Sequence, residues 1–195
     1  MTPAKFATLW PLLAIAVIAV ACSSTPPPHF YVLDAIPAAG KQGSNLSVLV
    51  GPVTIPETIN RPQFVLSRND GEVMFDENHR WASPLQDGLA DAIAGDLAAQ
   101  LGSQHVVTSR YEGEAIKYRV KIAVQQFRSR LADHALLEAH WFVRRDDGAI
   151  RLGRSNVREI VHGEDFAALV AAHSRAVSRM SGEIAEAIRD LEDGH

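Results

Sequence analysis

The stretch Tyr118-Arg119-Val120-Lys121-Ile122-Ala123-Val124-Gln125 decides the fold, because apolar and polar side chains alternate along it with a period of two. This alternation is typical of a β-strand with one buried face and one solvated face. Two further β-rich stretches follow, at about residues 137–144 and 149–161. Asp147-Gly148 joins them and indicates a hairpin, since both residue types tolerate positive φ. The three stretches are therefore predicted to be consecutive antiparallel neighbours.

Two amphipathic helices are predicted on either side of these strands. Ser83 can cap the first, with Pro84 as its first helical residue and Gly102 at its end. The second begins near Glu164-Asp165, where acids favour a helix N-terminus. The first apolar stripe comprises Leu85, Leu89, Ile93, Leu97 and Leu101, and the second comprises Phe166, Leu169, Val170, His173, Val177, Met180, Ile184, Ile188 and Leu191.

Shorter strands are predicted before the first helix. Residues 30–33 and 47–55 are β-rich, and the second of these is interrupted near Gly51-Pro52, which indicates a bulge or a sheet edge. Residues 64–67 and 72–75 flank the hairpin signal Asn69-Asp70-Gly71. The sequence therefore predicts an α+β fold, a mostly antiparallel β-sheet with two main α-helices packed on one face.

The N-terminus has the pattern of a processing signal. Residues 1–21 carry one charged side chain, Lys5, ahead of an apolar run over 9–21. This run contains Pro11 and is shorter than the roughly 20 apolar residues that a membrane-spanning helix needs. It ends in small residues directly before Cys22, a pattern that resembles the bacterial lipobox, in which the cysteine is acylated. The alternative is an ordinary secreted protein that is cleaved after Ala21 and retains Cys22 as a stray thiol.

The chain after the leader divides into a tether and one domain. Residues 22–29 contain the candidate lipidated cysteine and a polar, proline-rich tether, and residues 30–195 are predicted to form a single domain. Cys22 is the only cysteine of the 195 residues, which excludes an intramolecular disulfide. The formal net charge is −4, and removing residues 1–21 makes it −5 because one lysine is lost. Nucleic acid is therefore not an expected partner.

No catalytic or metal-binding motif is found in the sequence. The eight histidines show neither HxxxH nor H-E-x-x-H spacing, no serine lies in G-x-S-x-G, and no Walker loop is present. Acidic pairs fall at a predicted turn and a predicted helix start, where structure accounts for them. We therefore expect a protein that is not an enzyme and that binds no metal or cofactor.

Polar and aromatic residues cluster in two presumed loops, over residues 55–62 and 78–85. Arg61 lies in the first, and Arg80 and Trp81 lie just before the first helix. Arginine and tryptophan are favoured anchors of protein contacts, so these three residues are candidate partner or self-contacts. The alternative is that Trp81 is a hydrophobic staple packed on the first helix while Arg80 satisfies local carbonyl groups.

The same two segments carry a resemblance to a known family. The first segment resembles one found in the PqiC-type lipoproteins, the auxiliary lipoproteins of ABC-type transport. It reads Gly51-Pro52-Val53-Thr54-Ile55-Pro56-Glu57-Thr58-Ile59-Asn60-Arg61-Pro62-Gln63-Phe64-Val65. His79-Arg80-Trp81-Ala82-Ser83-Pro84-Leu85 is similar to that family's R/L-W-A-x-P-L signature before a helix. With the lipobox, the entry strand and the terminal helix, the resemblance spans the mature chain.

The resemblance implies a subunit of an MCE-protein or ABC-type lipid transport system. Such a lipoprotein would be anchored to the outer membrane on its periplasmic face, would dock an MCE-domain protein, would help maintain membrane integrity and could assemble into a homo-oligomeric ring. Serine after Cys22 is similar to the outer-membrane sorting pattern. Two alternatives stay open at this stage: a structural or assembly lipoprotein of another outer-membrane machine, and an envelope hydrolase.

Overall fold

The strands and helices follow the order in which the sequence places its apolar patterns. The computed structural model describes residues 27–37, 43–68, 71–109 and 115–194. These form one eight-stranded sheet and two α-helices. The strands are β1 His29–Tyr31, β2 Val48–Thr54, β3 Gln63–Ser67, β4 Val73–Trp81, β5 Val106–Thr108, β6 Tyr118–Ser129, β7 His134–Arg145 and β8 Ile150–Ile160, and the helices are α1 Leu85–Leu101 and α2 Phe166–Glu192.

Strands β6, β7 and β8 form the predicted antiparallel series. Tyr118 pairs with Arg145 at one end of the β6–β7 ladder, and Ser129 pairs with Ala135 at the other. The β7–β8 ladder extends from Arg144–Ile150 to His134–Ile160. Gly148 in the turn has φ +95°, the left-handed conformation that the Asp-Gly hairpin signal predicts. The expectation of three consecutive antiparallel strands is confirmed.

The other edge of β6 is shared by two strands. Strand β2 runs parallel to its first half, and β3 meets its end at the pair Leu66–Ser129. The sheet order is β1-β4-β3-β6-β2-β5, with β7 and β8 on the far side of β6. The register of β2 shifts between Val50 and Val53, where the Gly-Pro break predicts an irregularity. The long ladders are antiparallel, and the predicted α+β class is confirmed.

Two boundaries differ from the sequence prediction. Residues 78–81 were predicted to lie in a loop but belong to β4, because the Trp81 amide donates to the carbonyl oxygen of Pro62 at 2.8 Å and prolongs the β3–β4 pairing. Helix α1 begins at Leu85 with Pro84 as its N-cap residue, one position later than predicted, and no side chain caps it. Strand β5 has only three residues and was not predicted.

Both helices pack on one face of the sheet, here called the inner face. All five residues of the predicted α1 stripe are buried. In α2 the Asp165 side chain accepts a hydrogen bond from the Ala168 amide at 2.8 Å, so the predicted acidic start is an N-cap. Gly102 ends α1 at φ +64°, as its position predicts. None of the described helices is long and apolar enough to cross a membrane.

A buried carboxylate connects α1 to the segment after β1. Asp96 is fully buried, and its Oδ1 atom accepts a hydrogen bond from the Ile36 amide at 2.8 Å. Burial raises the pKa of Asp96 to about 6, although the Ile36 amide and the Ser178 and Ser181 hydroxyls favour the charged form. At neutral pH the protein therefore retains a carboxylate whose charge destabilises the folded state.

Asp96→Asn is expected to stabilise the protein at pH 7 by up to about 3 kcal/mol, since each unit of pKa shift corresponds to roughly 1.4 kcal/mol. The folded-state pKa is above the ordinary 3.8, so the stability contributed by the protonated form is fully present below about pH 4 and is lost as the pH rises through 6. Urea unfolding of both chains at pH 4 and pH 7 measures the difference.

The buried His173 also makes stability depend on pH, in the opposite direction, because burial lowers its pKa to about 3. Wild type and Asp96→Asn share this contribution, so the difference between their stabilities reports Asp96 alone. Asp190→Asn on the exposed surface of α2 is the matched control and should change stability little at either pH. A stability difference between wild type and Asp96→Asn that is the same at pH 4 and pH 7 would contradict the assignment.

Candidate functional site

The fold brings the two sequence segments that contain Arg61, Arg80 and Trp81 side by side. Gln63 pairs with Arg80 across the β3–β4 ladder, and Trp81 donates its amide to the carbonyl oxygen of Pro62 at 2.8 Å. The 3₁₀ turn Glu57–Ile59 precedes this pairing, and its Ile59 is buried. The motif residues therefore form one continuous region where β3 pairs with β4, which we call the paired-motif region.

Trp81 is a core residue of this region. Its side chain stacks on Phe64 with ring centroids 4.1 Å apart, and it approaches Phe127 and His173 at 6.3 and 6.5 Å. Only 7% of the residue is exposed. The alternative interpretation of Trp81, a side chain packed inside the protein, describes this placement. It expected packing on α1, whereas the ring partners belong to the sheet and to α2. Any influence of Trp81 on a partner would act through the position of its neighbours.

A three-residue bulge in β4 positions Arg80. The β3–β4 register passes from Phe64–Asp76 to Gln63–Arg80, which leaves residues 77–79 without partners in the ladder. Asp76 Oδ1 accepts hydrogen bonds from the Asn78 and His79 amides, each at 2.9 Å. Burial opposes the charge on Asp76, but the His79 side chain and these two amides outweigh it and hold the pKa of Asp76 below its ordinary value.

The Arg80 guanidinium is engaged locally. Its Nε atom donates to the Glu77 carbonyl oxygen at 3.0 Å, and its Nη2 atom donates to the Glu77 carboxylate at 3.3 Å. The Glu77 side chain is 66% exposed, so this ion pair contributes little to stability. The bond to the Glu77 carbonyl oxygen is the kind of contact that the alternative interpretation of Arg80 describes. A contact between Arg80 and a partner stays a prediction.

Arg61 is different because its guanidinium is incompletely satisfied. The Cζ atom lies 3.9 Å from the centre of the Phe75 ring, a cation–π geometry, and Phe75 is 42% exposed. The Nε atom is buried, and the described residues offer it no hydrogen-bond partner. A buried donor without an acceptor is costly, and a second molecule would remove that cost once the Arg61 side chain turned to expose the Nε atom. Of the three predicted contact residues, Arg61 has the geometry best suited to one.

A groove of about 430 Å³ opens beside the 3₁₀ turn. Pro56 and Ile59 form one wall, Val65 lies within it, and Gln126 and Arg128 of β6 face them. The groove combines apolar surface with amide and guanidinium groups. It could receive a side chain or a short peptide segment of a partner that also reaches Arg61.

A buried Ser–His pair lies beneath Trp81. The Ser129 hydroxyl and His173 Nε2 are 2.8 Å apart, and the His173 ring stacks on Phe127 at 4.0 Å. Serine hydrolases use such a pair, but there a third group orients the histidine and the serine is accessible. Here Ser129 is 3% exposed, His173 is fully buried, and Nδ1 has no partner among the described residues. The geometry is that of a packed polar contact.

The remaining sequence predictions have different outcomes. Cys22, the leader and the start of the tether lie outside the described residues. The described part of the chain contains no group of three or more histidine, cysteine, aspartate or glutamate side chains arranged to hold a metal ion. The Arg61–Phe75 stack and the Ser129–His173 pair were not predicted, because each joins residues that are distant in sequence, and the Asp76–His79 bulge was not predicted, because it depends on the register of the β3–β4 ladder.

Comparison with known proteins identifies the family. A family model described as "ABC-type transport auxiliary lipoprotein component" matches residues 31–185. The chain belongs to this family. The match includes the whole paired-motif region and most of α2, so the ABC-type transport auxiliary lipoprotein assignment and the resemblance stated from the two motifs agree.

Solved structures support the fold of this ABC-type transport auxiliary lipoprotein. An uncharacterized protein matches with a TM-score of 0.70 and 18% identity, over 83% of this chain and 99% of the other. A Xanthomonas campestris protein of the DUF330 family matches with a TM-score of 0.63 and 20% identity, over 80% and 92%. At these identities the similarity shows the fold alone. None of the curated proteins compared with the chain matches it.

Proposed function

We propose that this auxiliary lipoprotein is anchored to the outer membrane, faces the periplasm and docks an MCE-domain protein of an ABC-type lipid transport system, thereby supporting membrane integrity. The observation that carries the proposal is the family match over residues 31–185, which begins nine residues after a cysteine in a lipobox-like setting. Lipidation of Cys22 would hold the domain at the membrane, and the domain would supply the contact.

The paired-motif region is the proposed contact surface. Arg61 has an unsatisfied Nε donor and lies over an exposed aromatic ring, and a groove of about 430 Å³ opens nearby. Arginine and aromatic side chains beside a pocket are the features that concentrate binding energy in protein interfaces. A non-enzymatic role is consistent with the buried state of Ser129 and His173. The same surface could form contacts between copies in a ring.

The alternative is a structural or assembly lipoprotein of another outer-membrane machine that takes no part in transport. The anchor and the contact surface would be the same, so the two functions differ in the identity of the bound protein. Crosslinking from the contact surface therefore distinguishes them better than any measurement on the isolated chain.

A photo-crosslinking residue at exposed Thr58, beside Arg61, is expected to capture an MCE-domain protein in cells. Arg61→Ala should lower that capture at least about tenfold, because removing one partner of a hydrogen-bonded charge pair that the complex buries costs roughly 2 kcal/mol or more. Mass spectrometry of the crosslinked species measures both.

The matched control places the crosslinker at exposed Gln104, outside the paired-motif region, where capture should be absent. Capture of only a β-barrel protein at Thr58 would support the assembly alternative and exclude the transport role. Capture of only a second copy would assign this surface to self-association and remove MCE docking from it.

A further inference from the structure

The outer face of the sheet, opposite the helices, is strongly basic over β6, β7 and β8. We call it the basic face, and its six exposed cations are Arg119, Lys121, Arg128, Arg144, Arg154 and Arg158. Side chains alternate between the two faces of a strand. The positions that alternate with these cations are buried on the inner face, so the cations lie on the outer face. Glu138 is the one acid on the face within these three strands, and its side chain is only 15% exposed.

This concentration of positive charge contrasts with the whole chain. The full sequence has 19 basic and 23 acidic side chains, a net charge of −4. The basic face therefore arises because the fold places basic and acidic side chains on different surfaces. The composition of the chain alone would not predict it. A surface of one sign attracts a partner of the opposite sign and repels a second copy of the same face.

Much of the positive charge is not neutralised within the protein. Arg154 approaches Glu138 at 3.6 Å, and Arg158 approaches Asp133 at 3.5 Å. Lys121, Arg128 and Arg144 form no ion pair or hydrogen bond with the described residues. Like-charged side chains also face each other directly, since Arg119 pairs with Arg144 across β6 and β7. Such an arrangement is unfavourable by itself and becomes favourable when an anion lies over it.

Exposed apolar side chains flank these cations along β8, where Ile150 and Leu152 precede Arg154, and Ile160 follows Arg158. Leu152 is 74% exposed, Ile160 is 64% exposed and Ile150 is 45% exposed. In the ladder, Leu152 lies opposite Phe142, and Phe142 lies opposite Lys121. Cations interleaved with apolar side chains are typical of surfaces that lie in the interface of an anionic bilayer, where the cations meet phosphates and the apolar groups enter the acyl boundary.

We infer that the basic face lies on the surface of a bilayer that contains anionic phospholipid. This inference rests on the proposed lipid anchor, because the anchor brings the domain to such a surface. A contact made through charge alone would leave the exposed leucine and isoleucines in water. The bilayer accounts for both the cations and these apolar side chains.

The length of the tether is compatible with this placement. Six residues lie between Cys22 and His29, where β1 begins, and the seven residue-to-residue steps of an extended chain span at most about 25 Å. Strands β1 and β8 lie at opposite edges of the sheet, about five strand spacings or roughly 24 Å apart. The acyl chains can therefore enter the membrane near β1 while the basic face lies flat on it.

The test uses the acylated full-length lipoprotein with Leu152→Cys labelled by an environment-sensitive fluorophore, reconstituted on vesicles. On vesicles of phosphatidylcholine with about 30% phosphatidylglycerol, we expect a blue shift in the emission of the fluorophore. Salt at 0.5 M should remove this shift, because it shortens the electrostatic screening length to roughly 3–5 Å. On pure phosphatidylcholine we expect no shift. Lys121→Glu should lower the shifted fraction at least about fivefold.

Arg189→Glu is the matched control, because it reverses one charge on α2, on the other side of the sheet, and should leave the shift unchanged. Equal shifts on both kinds of vesicle, or no shift on either, would overturn the inference. A shift that appears without vesicles and grows with protein concentration would overturn it in favour of a second copy. Flotation of the same samples with the vesicles reports the lipid anchor independently. Protein that floats without a blue shift would therefore contradict the placement of the basic face and leave the proposed anchor intact.

Discussion

Cys22→Ser is expected to abolish incorporation of palmitate and to remove the protein from the membrane fraction. A serine hydroxyl is a far weaker nucleophile than a thiolate, so it does not take the diacylglyceryl group that the sulfur of a lipobox cysteine accepts. Each buried methylene of an acyl chain contributes about 0.8 kcal/mol to membrane binding, so losing whole chains removes most of the binding free energy and the basic face alone should not keep the domain in the membrane fraction. Metabolic labelling and fractionation measure the two effects.

Two control variants separate acylation from sorting. Ser24→Ala should leave labelling unchanged, because the residue lies in the polar tether and takes no part in acyl transfer. Ser23→Asp should be acylated but retained in the inner membrane if the outer-membrane sorting pattern applies. Undiminished palmitate labelling of Cys22→Ser would show that the lipobox interpretation is wrong and that Cys22 is a stray thiol.

Trp81→Ala is expected to lower the free energy of unfolding by about 3–5 kcal/mol, the range for removing a large buried aromatic side chain. The truncation leaves Phe64, Phe127 and His173 facing a cavity and removes the ring stacked at 4.1 Å on Phe64. Urea unfolding followed by circular dichroism measures the loss, and crosslinking at Thr58 should fall only in proportion to the unfolded fraction.

Trp81→Phe is the matched variant, because it keeps an aromatic ring against Phe64 and should recover much of the stability. Arg80→Ala should cost under about 1 kcal/mol, since its ion pair with Glu77 is exposed. A Trp81→Ala protein that keeps full stability but loses its partner would show that the indole is a contact residue and not a core residue.

The elements that could be predicted are those whose cause is local in sequence. The alternation over residues 118–125, the turn at Asp147-Gly148 and the apolar stripe from Leu85 to Leu101 each specify their own strand, hairpin or helix, and all three agree with the structure. The extension of β4 to Trp81 could not be predicted, because it depends on the Pro62 carbonyl oxygen as a distant acceptor. The parallel position of β2 beside β6 is another non-local outcome.

The candidate site divides in the same way. Sequence alone identifies Arg61, Arg80 and Trp81 as unusual, because residue types that anchor contacts occur there next to prolines and a helix start. It cannot tell which of them is satisfied internally. That distinction depends on Glu77, Phe64 and Phe75, which reach these side chains only through the β3–β4 register and its bulge.

The parallel pairing of β2 with β6 also has a consequence for how the chain folds. Val48 pairs with Tyr118, 70 residues later, and β5 is the only other partner of β2 in the described sheet. A chain that is made N-terminus first therefore exposes β2 as an unpaired apolar strand until the second half of the protein has followed. Non-local pairings of this kind slow folding, and unpaired strands invite aggregation. Holding chaperones are consequently expected to determine the yield of this protein more than the stability of its finished fold does.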